Sequence, residues 1–186
     1  MIRTSQTHPL RIDAVQIPGG QGLVGITFCP GKQQQEAMTG IWERDLETDL
    51  KCIIDWGASA LVTLIEQHEL ESLGVADMPA RVKAMGLEWY FLPIKDYHIP
   101  SSSFEAKWST AGPSLRERLL AGKKIVVHCK GGLGRAGTIA AQLLVELGMT
   151  PDSAIAAVRE ERKGAIETSE QEDYVRRCQS CQPLQR

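Results

Sequence analysis

Lys124-Ile125-Val126-Val127-His128-Cys129-Lys130-Gly131-Gly132-Leu133-Gly134-Arg135-Ala136-Gly137-Thr138 runs from an apolar, β-branched stretch through a glycine-rich loop into a helix-forming segment. The apolar run predicts a buried strand, and Thr138 to Leu147, apolar and closed by Gly148, predicts the helix after the loop. A strand, a tight glycine loop and a helix in that order are the unit of an α/β fold. Within the loop, Cys129 stands with Arg135 at the far end of a Cys-x5-Arg spacing. A free thiol is mostly protonated at neutral pH, whereas the thiolate is the competent nucleophile, so a reactive cysteine needs positive surroundings. Lys130, Gly131, Gly132, Leu133, Gly134 and Arg135 supply them. The glycines let backbone N–H groups turn inward, the helix points its positive end at the same place, and Arg135 offers a planar fork for two phosphate oxygens. The loop reads as a phosphate cradle with a nucleophile inside. His128, at the strand end, reads as an orienter of the loop backbone. Lys130 is either a solvated side chain or a selector for extra negative charge.

The flanking sequence extends the α/β pattern. Arg11 to Ile17 and Leu23 to Phe28 are β-prone segments separated by Pro18-Gly19-Gly20, which predicts a hairpin or meander at a sheet edge. Leu46, Leu50, Ile53 and Ile54 recur at helical spacing, and Ala60 to Ile65 is a short buried strand. Met78 to Met85 predicts a helix closed by Gly86, and Leu87 to Leu92 a further strand. Ser102 to Leu120 is helical but contains Gly112-Pro113, which predicts a bend or a split. Thr150-Pro151 opens a helix that Gly164 follows, and Thr168-Ser169-Glu170-Gln171 opens a last one. The expected architecture is α/β, a central, largely parallel mixed sheet flanked by helices. One domain over residues 1–186 is expected, with 1–10 and 182–186 as flexible ends.

Composition narrows the function classes. A net charge of −2 with 24% charged residues offers no general attraction for nucleic acid or anionic lipid, so any phosphate specificity must be local. No apolar run is long enough to cross a bilayer, and the first residues lack the apolar stretch of a secretory signal. A soluble, cytoplasmic, monomeric protein without membrane insertion is expected. The five cysteines show no disulfide framework. Cys178-x2-Cys181 lacks a second pair to complete a zinc site, and the four histidines show no ligand spacing. No metal and no cofactor are expected.

His128-Cys129-x5-Arg135 resembles the signature of the cysteine-dependent tyrosine and dual-specificity phosphatases. Phe28-Cys29-Pro30-Gly31-Lys32, Pro93-Ile94-Lys95-Asp96 and Gly164-Ala165-Ile166-Glu167-Thr168 are similar to the kinase-associated phosphatase branch, in the same order along roughly 22–177. The resemblance implies the phosphatase fold and a phosphorylated protein as partner and substrate, with nucleophilic attack by Cys129 giving a cysteinyl-phosphate. It implies Asp96, on a loop after a strand, as the acid, with His98 a weaker candidate. For Gln171 two readings stand: a positioner of the hydrolytic water, or the last residue of a Thr168-x-x-Gln171 capping box. The sequence departs from the family pattern at Ala136, where most relatives carry a hydroxyl that assists departure of the cysteine sulfur. Slow breakdown of the phosphoenzyme is expected unless Thr138 or water substitutes. The alternatives are a phosphoinositide or small-molecule phosphatase, or a phosphate-binding module with impaired turnover.

Overall fold

The computed structural model describes residues 1–181. Its elements in chain order are β1 (Ile2–Arg3), β2 (Asp13–Gln16), β3 (Leu23–Thr27), β4 (Gln33–Gln34), β5 (Ile41–Glu43), α1 (Leu46–Asp55), β6 (Ala58–Thr63), α2 (Gln67–Ser72), α3 (Met78–Ala84), β7 (Glu88–Phe91), α4 (Ser102–Leu120), β8 (Lys124–His128), α5 (Gly134–Glu146), α6 (Pro151–Glu161) and α7 (Ser169–Arg177). The main sheet has the order β2-β3-β8-β6-β7. β2 and β3 pair antiparallel, and the other neighbours pair parallel, as expected of a mixed, largely parallel sheet.

β8 lies in the middle because it is apolar on both faces: Ile125, Val126 and Val127 are fully buried. Thr27 of β3 and Thr63 of β6 flank His128 in register, so three parallel strands end side by side where the glycine loop begins. Ligand sites of open α/β sheets form beyond such carboxyl ends. α5 is buried along its whole length, packed against β3 and β8 on one side and α6 and α7 on the other. A helix enclosed in this way is apolar except where its polar groups are paired, as Arg135, Thr138, Gln142 and Glu146 are, which accounts for the runs Ile139-Ala140-Ala141 and Leu143-Leu144-Val145.

Two expectations are corrected. The split at Gly112-Pro113 does not occur: α4 is one continuous helix, and Trp108 covers Gly112 so closely that a Cβ there would lie 2.7 Å from the indole nitrogen. Residues 1–10 are not a free end. β1 pairs parallel with β5, while β4 pairs antiparallel with it, giving a second, three-stranded sheet. The buried Arg44 donates to the carbonyls of Thr4 and His8 and pairs with Asp49 through two nitrogens, fastening that segment to α1. Residues 182–186, expected to be a flexible end, lie outside the described residues. No helix among the described residues is long and apolar enough to cross a membrane.

Candidate active site

The glycine loop closes around Cys129, which is 3% exposed and whose Sγ accepts the Gly132 N–H at 3.2 Å. Gly132 has φ +71°, and a Cβ there would lie 2.4 Å from the Thr27 carbonyl, so only glycine can bring the loop this close to β3. Outward carbonyls accompany the inward amides. Arg162 donates from Nε to the Gly132 carbonyl at 2.9 Å and from Nη2 to the Gly131 carbonyl at 3.1 Å, and its Nη1 pairs with Asp13 at 2.8 Å. This brace holds the peptide planes with their N–H edges toward the interior of the loop.

His128 is fully buried, and burial pushes its imidazole down to about 4, so it is neutral near pH 7. The Trp89 indole N–H donates to Thr63 Oγ1 at 2.8 Å, and Thr63 Oγ1 lies 2.8 Å from His128 Nε2. The Cys129 carbonyl, 3.2 Å from Nδ1, can only accept, so the one proton of the neutral ring sits on Nδ1; Nε2 then accepts from the Thr63 hydroxyl, whose oxygen accepts the indole N–H. A chain of three side chains, Trp89, Thr63 and His128, thus ends on the Cys129 carbonyl.

Arg135 is 2% exposed, and its five N–H donors are divided. Glu69 takes one from Nη1 at 2.7 Å and one from Nη2 at 2.9 Å, and the Ile94 carbonyl takes the second Nη1 hydrogen at 2.9 Å. Burial opposes the guanidinium charge, but the bonds to Glu69 outweigh it and hold Arg135 above its ordinary value. Glu69 in turn, despite burial, is held below the usual carboxylate range by Arg135. The edge left for a ligand is formed by Nε and Nη2, and this can still grip two oxygens. Asp96 Oδ1 now lies 3.0 Å from Nη2. A phosphate oxygen and Asp96 therefore compete for one donor.

Asp96 is half-exposed on the loop after β7 and accepts the Tyr97 N–H at 3.1 Å. Tyr97 is in the left-handed region at φ +60°. Among the described residues Ile166, also at +60°, is the only other non-glycine residue there, and it precedes Glu167. A β-branched residue in that conformation is strained, and such strain concentrates at functional sites. Arg159 holds the strained turn by donating to the carbonyls of Ala165 and Ile166, and the Ile166 N–H returns to the Leu133 carbonyl. The turn delivers Glu167 to the cradle, where its Oε2 would lie 2.5 Å from any Cβ at position 134. Partial burial, with Asp96 nearby, pushes the Glu167 carboxyl up, against a bond from the Gly134 N–H.

A cavity of about 280 Å³ opens over Cys129, lined by Lys130, Gly131, Leu133 and Arg135 of the loop, by Asp96, Tyr97 and Glu167, and on the far side by Lys32, Gln34 and the β4–β5 turn from Glu36 to Thr39. Gln171 does not line it. The Gln171 side chain is fully buried: Oε1 accepts the N–H groups of Glu167 and Thr168, and Nε2 donates to the His98 carbonyl at 3.3 Å. It forms the capping box of α7 and ties that helix to the Asp96 loop. Four contributors had no site role assigned from the sequence: Glu69, Arg162, Glu167 and Lys32, although Lys32 and Glu167 stand inside segments that carry the resemblance. Glu69 acts from an element far away in the chain with no short motif, and Arg162, in the Arg159-x2-Arg162-x-Gly164 run before Gln171, reaches the loop only once α6 is packed. The Gly134–Glu167 contact needs the α6–α7 turn folded over the loop.

Comparison with known proteins agrees with this geometry. The family model described as Swiss Army Knife protein, DSP-PTPase phosphatase domain, matches residues 34–175. Cyclin-dependent kinase inhibitor 3 of Rattus norvegicus is 28% identical over 156 residues, covering 82% of this chain and 70% of that protein. The Dictyostelium discoideum protein named "Probable protein tyrosine phosphatase type IVA A" is 33% identical over 86 residues, 46% of this chain, so the matched stretch spans about half (51%) of that relative. A crystal structure of kinase associated phosphatase with serine at its catalytic cysteine has a TM-score of 0.79 at 24% identity, covering 90% of this chain and 92% of that chain. That likeness shows the fold.

Proposed function

The chain belongs to the dual-specificity and tyrosine (DSP-PTPase) phosphatase family, and on that footing we propose that it hydrolyses phosphomonoesters on phosphoproteins, phosphotyrosine first and phosphoserine or phosphothreonine where the side chain reaches Cys129. The observation that carries this reading is the placement of the Cys129 sulfur in the glycine loop, accepting the Gly132 N–H, beside the Nε–Nη2 edge of Arg135, where Asp96 is the one ion partner besides Glu69. A phosphate dianion on that edge and on the loop amides presents phosphorus to the sulfur. The same donors stabilise the charge on the equatorial oxygens in the transition state.

In the first step the Cys129 thiolate forms a bond to phosphorus as the ester P–O bond breaks, and the leaving oxygen takes a proton from Asp96. Phosphate displaces Asp96 from Nη2, and the Asp96 loop carries the carboxyl to the leaving group. In the second step water attacks phosphorus, the P–S bond breaks, and Asp96 receives the proton from water. No metal or cofactor enters either step. Location in the cytoplasm and a monomeric state belong to the same reading.

Slow release of phosphate is a second feature of this reading, supported by Ala136 and Thr138. The Ala136 side chain is fully buried and has no hydroxyl. Thr138 does not replace it, since its Oγ1 donates to the Gly134 carbonyl at 2.7 Å, one turn back along its own helix.

The test is hydrolysis of an aryl phosphate, a phosphotyrosine peptide, a phosphoserine peptide and a phosphoinositide by purified protein. Vanadate-sensitive turnover of the first two is expected, abolished in Cys129→Ser and reduced in Asp96→Ala most strongly for poor leaving groups. Full turnover in Cys129→Ser would remove the mechanism. Preference for the phosphoinositide over every peptide would move the substrate to lipid.

A further inference from the structure

Lys32 is a buried ammonium without an acidic partner. The residue is 4% exposed, yet among the described residues no carboxylate oxygen lies within 4.0 Å of its nitrogen. Burying a charge is costly unless something answers it. Two aromatic rings do so in part: Nζ is 3.9 Å from the Trp42 ring centroid and 5.2 Å from that of Phe28. Its hydrogen bond runs to the Lys130 carbonyl of the cradle, at 3.3 Å.

The chain is built to put it there. Gly31 turns at φ +71°, where a Cβ would strike Leu46, and its N–H is pinned by Asp49 Oδ2 at 2.9 Å. That turn sends Lys32 back under Trp42 and onto the cavity wall that also holds Cys129. The anion missing from its surroundings is the kind the cavity is shaped to receive.

We propose that Lys32 is a further positioning and charge-supplying residue of the reaction: its caged ammonium is the counter-cation of the Cys129 thiolate and of the incoming phosphate dianion, and it steadies the loop at the Lys130 carbonyl. The inference rests on the phosphatase reading above and adds a cation from outside the signature loop.

It also sets an alkaline limit. Burial pushes the Lys32 ammonium down to about 8, Cys29 and Cys129 resist that, and Lys130 and Arg44 add to it. Glu36, Asp96, Glu167 and Arg135 are the other charged groups facing the cavity. The group is depressed, so the cation is present below about pH 8 and is lost above it. Because kcat/KM reports the free enzyme, it should fall above that point and level off about ten- to a hundred-fold lower, at the activity of the uncharged side chain. The substrate does not titrate there, since the second ionisation of a phosphate monoester lies near pH 6.

The experiment is the kcat/KM profile for an aryl phosphate from pH 6 to 10 in wild type, Lys32→Met and Lys32→Arg, each with a thermal melt. Wild type should show the alkaline fall near pH 8. Lys32→Met should lose about ten- to a hundred-fold at pH 7 and no longer fall at pH 8. Lys32→Arg, which cannot lose its charge, should recover activity and hold it to higher pH. A wild-type profile flat from pH 7 to 9 overturns the proposal whatever the variants do, and so does an unchanged limb in either folded variant. Absence of any hydrolysis in wild type at any pH sinks the phosphatase reading itself, and this proposal with it.

Discussion

In the proposed mechanism Ala136 removes one atom of the cradle and, through it, shifts the balance of two chemical steps. The missing hydroxyl bears on release more than on capture. In the release step sulfur must accept charge as the P–S bond breaks. A hydrogen bond to a charged group contributes roughly 1.5–3 kcal/mol, or about ten- to a hundred-fold in rate. Ala136→Ser is therefore expected to speed phosphoenzyme breakdown by that factor. Rapid-quench measurement should find an accumulating cysteinyl-phosphate in wild type and little in the variant. Equal amounts in both would show that Ala136 does not limit release. Lys32 belongs to the same scale: one side chain whose charge meets two aromatic rings and a carbonyl but no carboxylate.

Short elements carry much of the site's precision. α2 has only six residues, and its capping box places Glu69 so that Oε2 accepts both the Glu66 N–H, at 2.8 Å, and an Arg135 hydrogen. A helix this short is held by its tertiary contacts, here the buried ion pair of Glu69 and the fully buried Leu70. Removing one partner of a buried pair leaves an uncompensated charge and costs about 3–5 kcal/mol. Glu69→Ala should lower unfolding free energy by that amount in urea titration and reduce kcat/KM through a freed Arg135. A loss below about 1 kcal/mol would mean that water answers Arg135 instead. The Arg162 brace at the end of α6 acts in the same way on the carbonyls of the loop.

At the scale of the whole molecule, the sheet encloses a titratable group at its centre. His128 lies between β3 and β6 and is pushed down to about 4 by burial, against an ordinary value of 6.5. Between those values the unfolded chain binds a proton that the folded chain refuses. The contribution to stability is fully present above pH 6.5 and is lost as pH falls toward 4. Between pH 7 and pH 5 the loss is about 2 kcal/mol. Denaturant unfolding at the two pH values should show it, and His128→Asn should remove most of that difference. An unchanged difference in the variant would assign it to the carboxylates. The second sheet, β1-β5-β4, also belongs to this scale, because it walls the cavity with segments that have no part in the signature.

What could be read in the chain itself was whatever depends on neighbours in sequence. The strand-loop-helix unit around Cys129 follows from an apolar run, clustered glycines and a second apolar run, and the parallel sheet follows from its repetition. Arg135 and His128 were legible because their spacing from Cys129 is short and fixed. Asp96 was legible through the resemblance and not through spacing. Gln171 stood between two readings, and the fold shows the capping box because its amide is enclosed with only backbone groups in reach. Glu69, 66 residues from Arg135, and Lys32, 98 residues from Lys130, act through contacts that exist only once the strands are ordered β3-β8-β6 and the Gly31 turn is closed. The sequence by itself determined the candidate nucleophile and the loop around it, since local backbone geometry and residue chemistry suffice for them. Tertiary structure alone decided which charges face that cradle, because burial and long-range pairing arise only from the packed sheet.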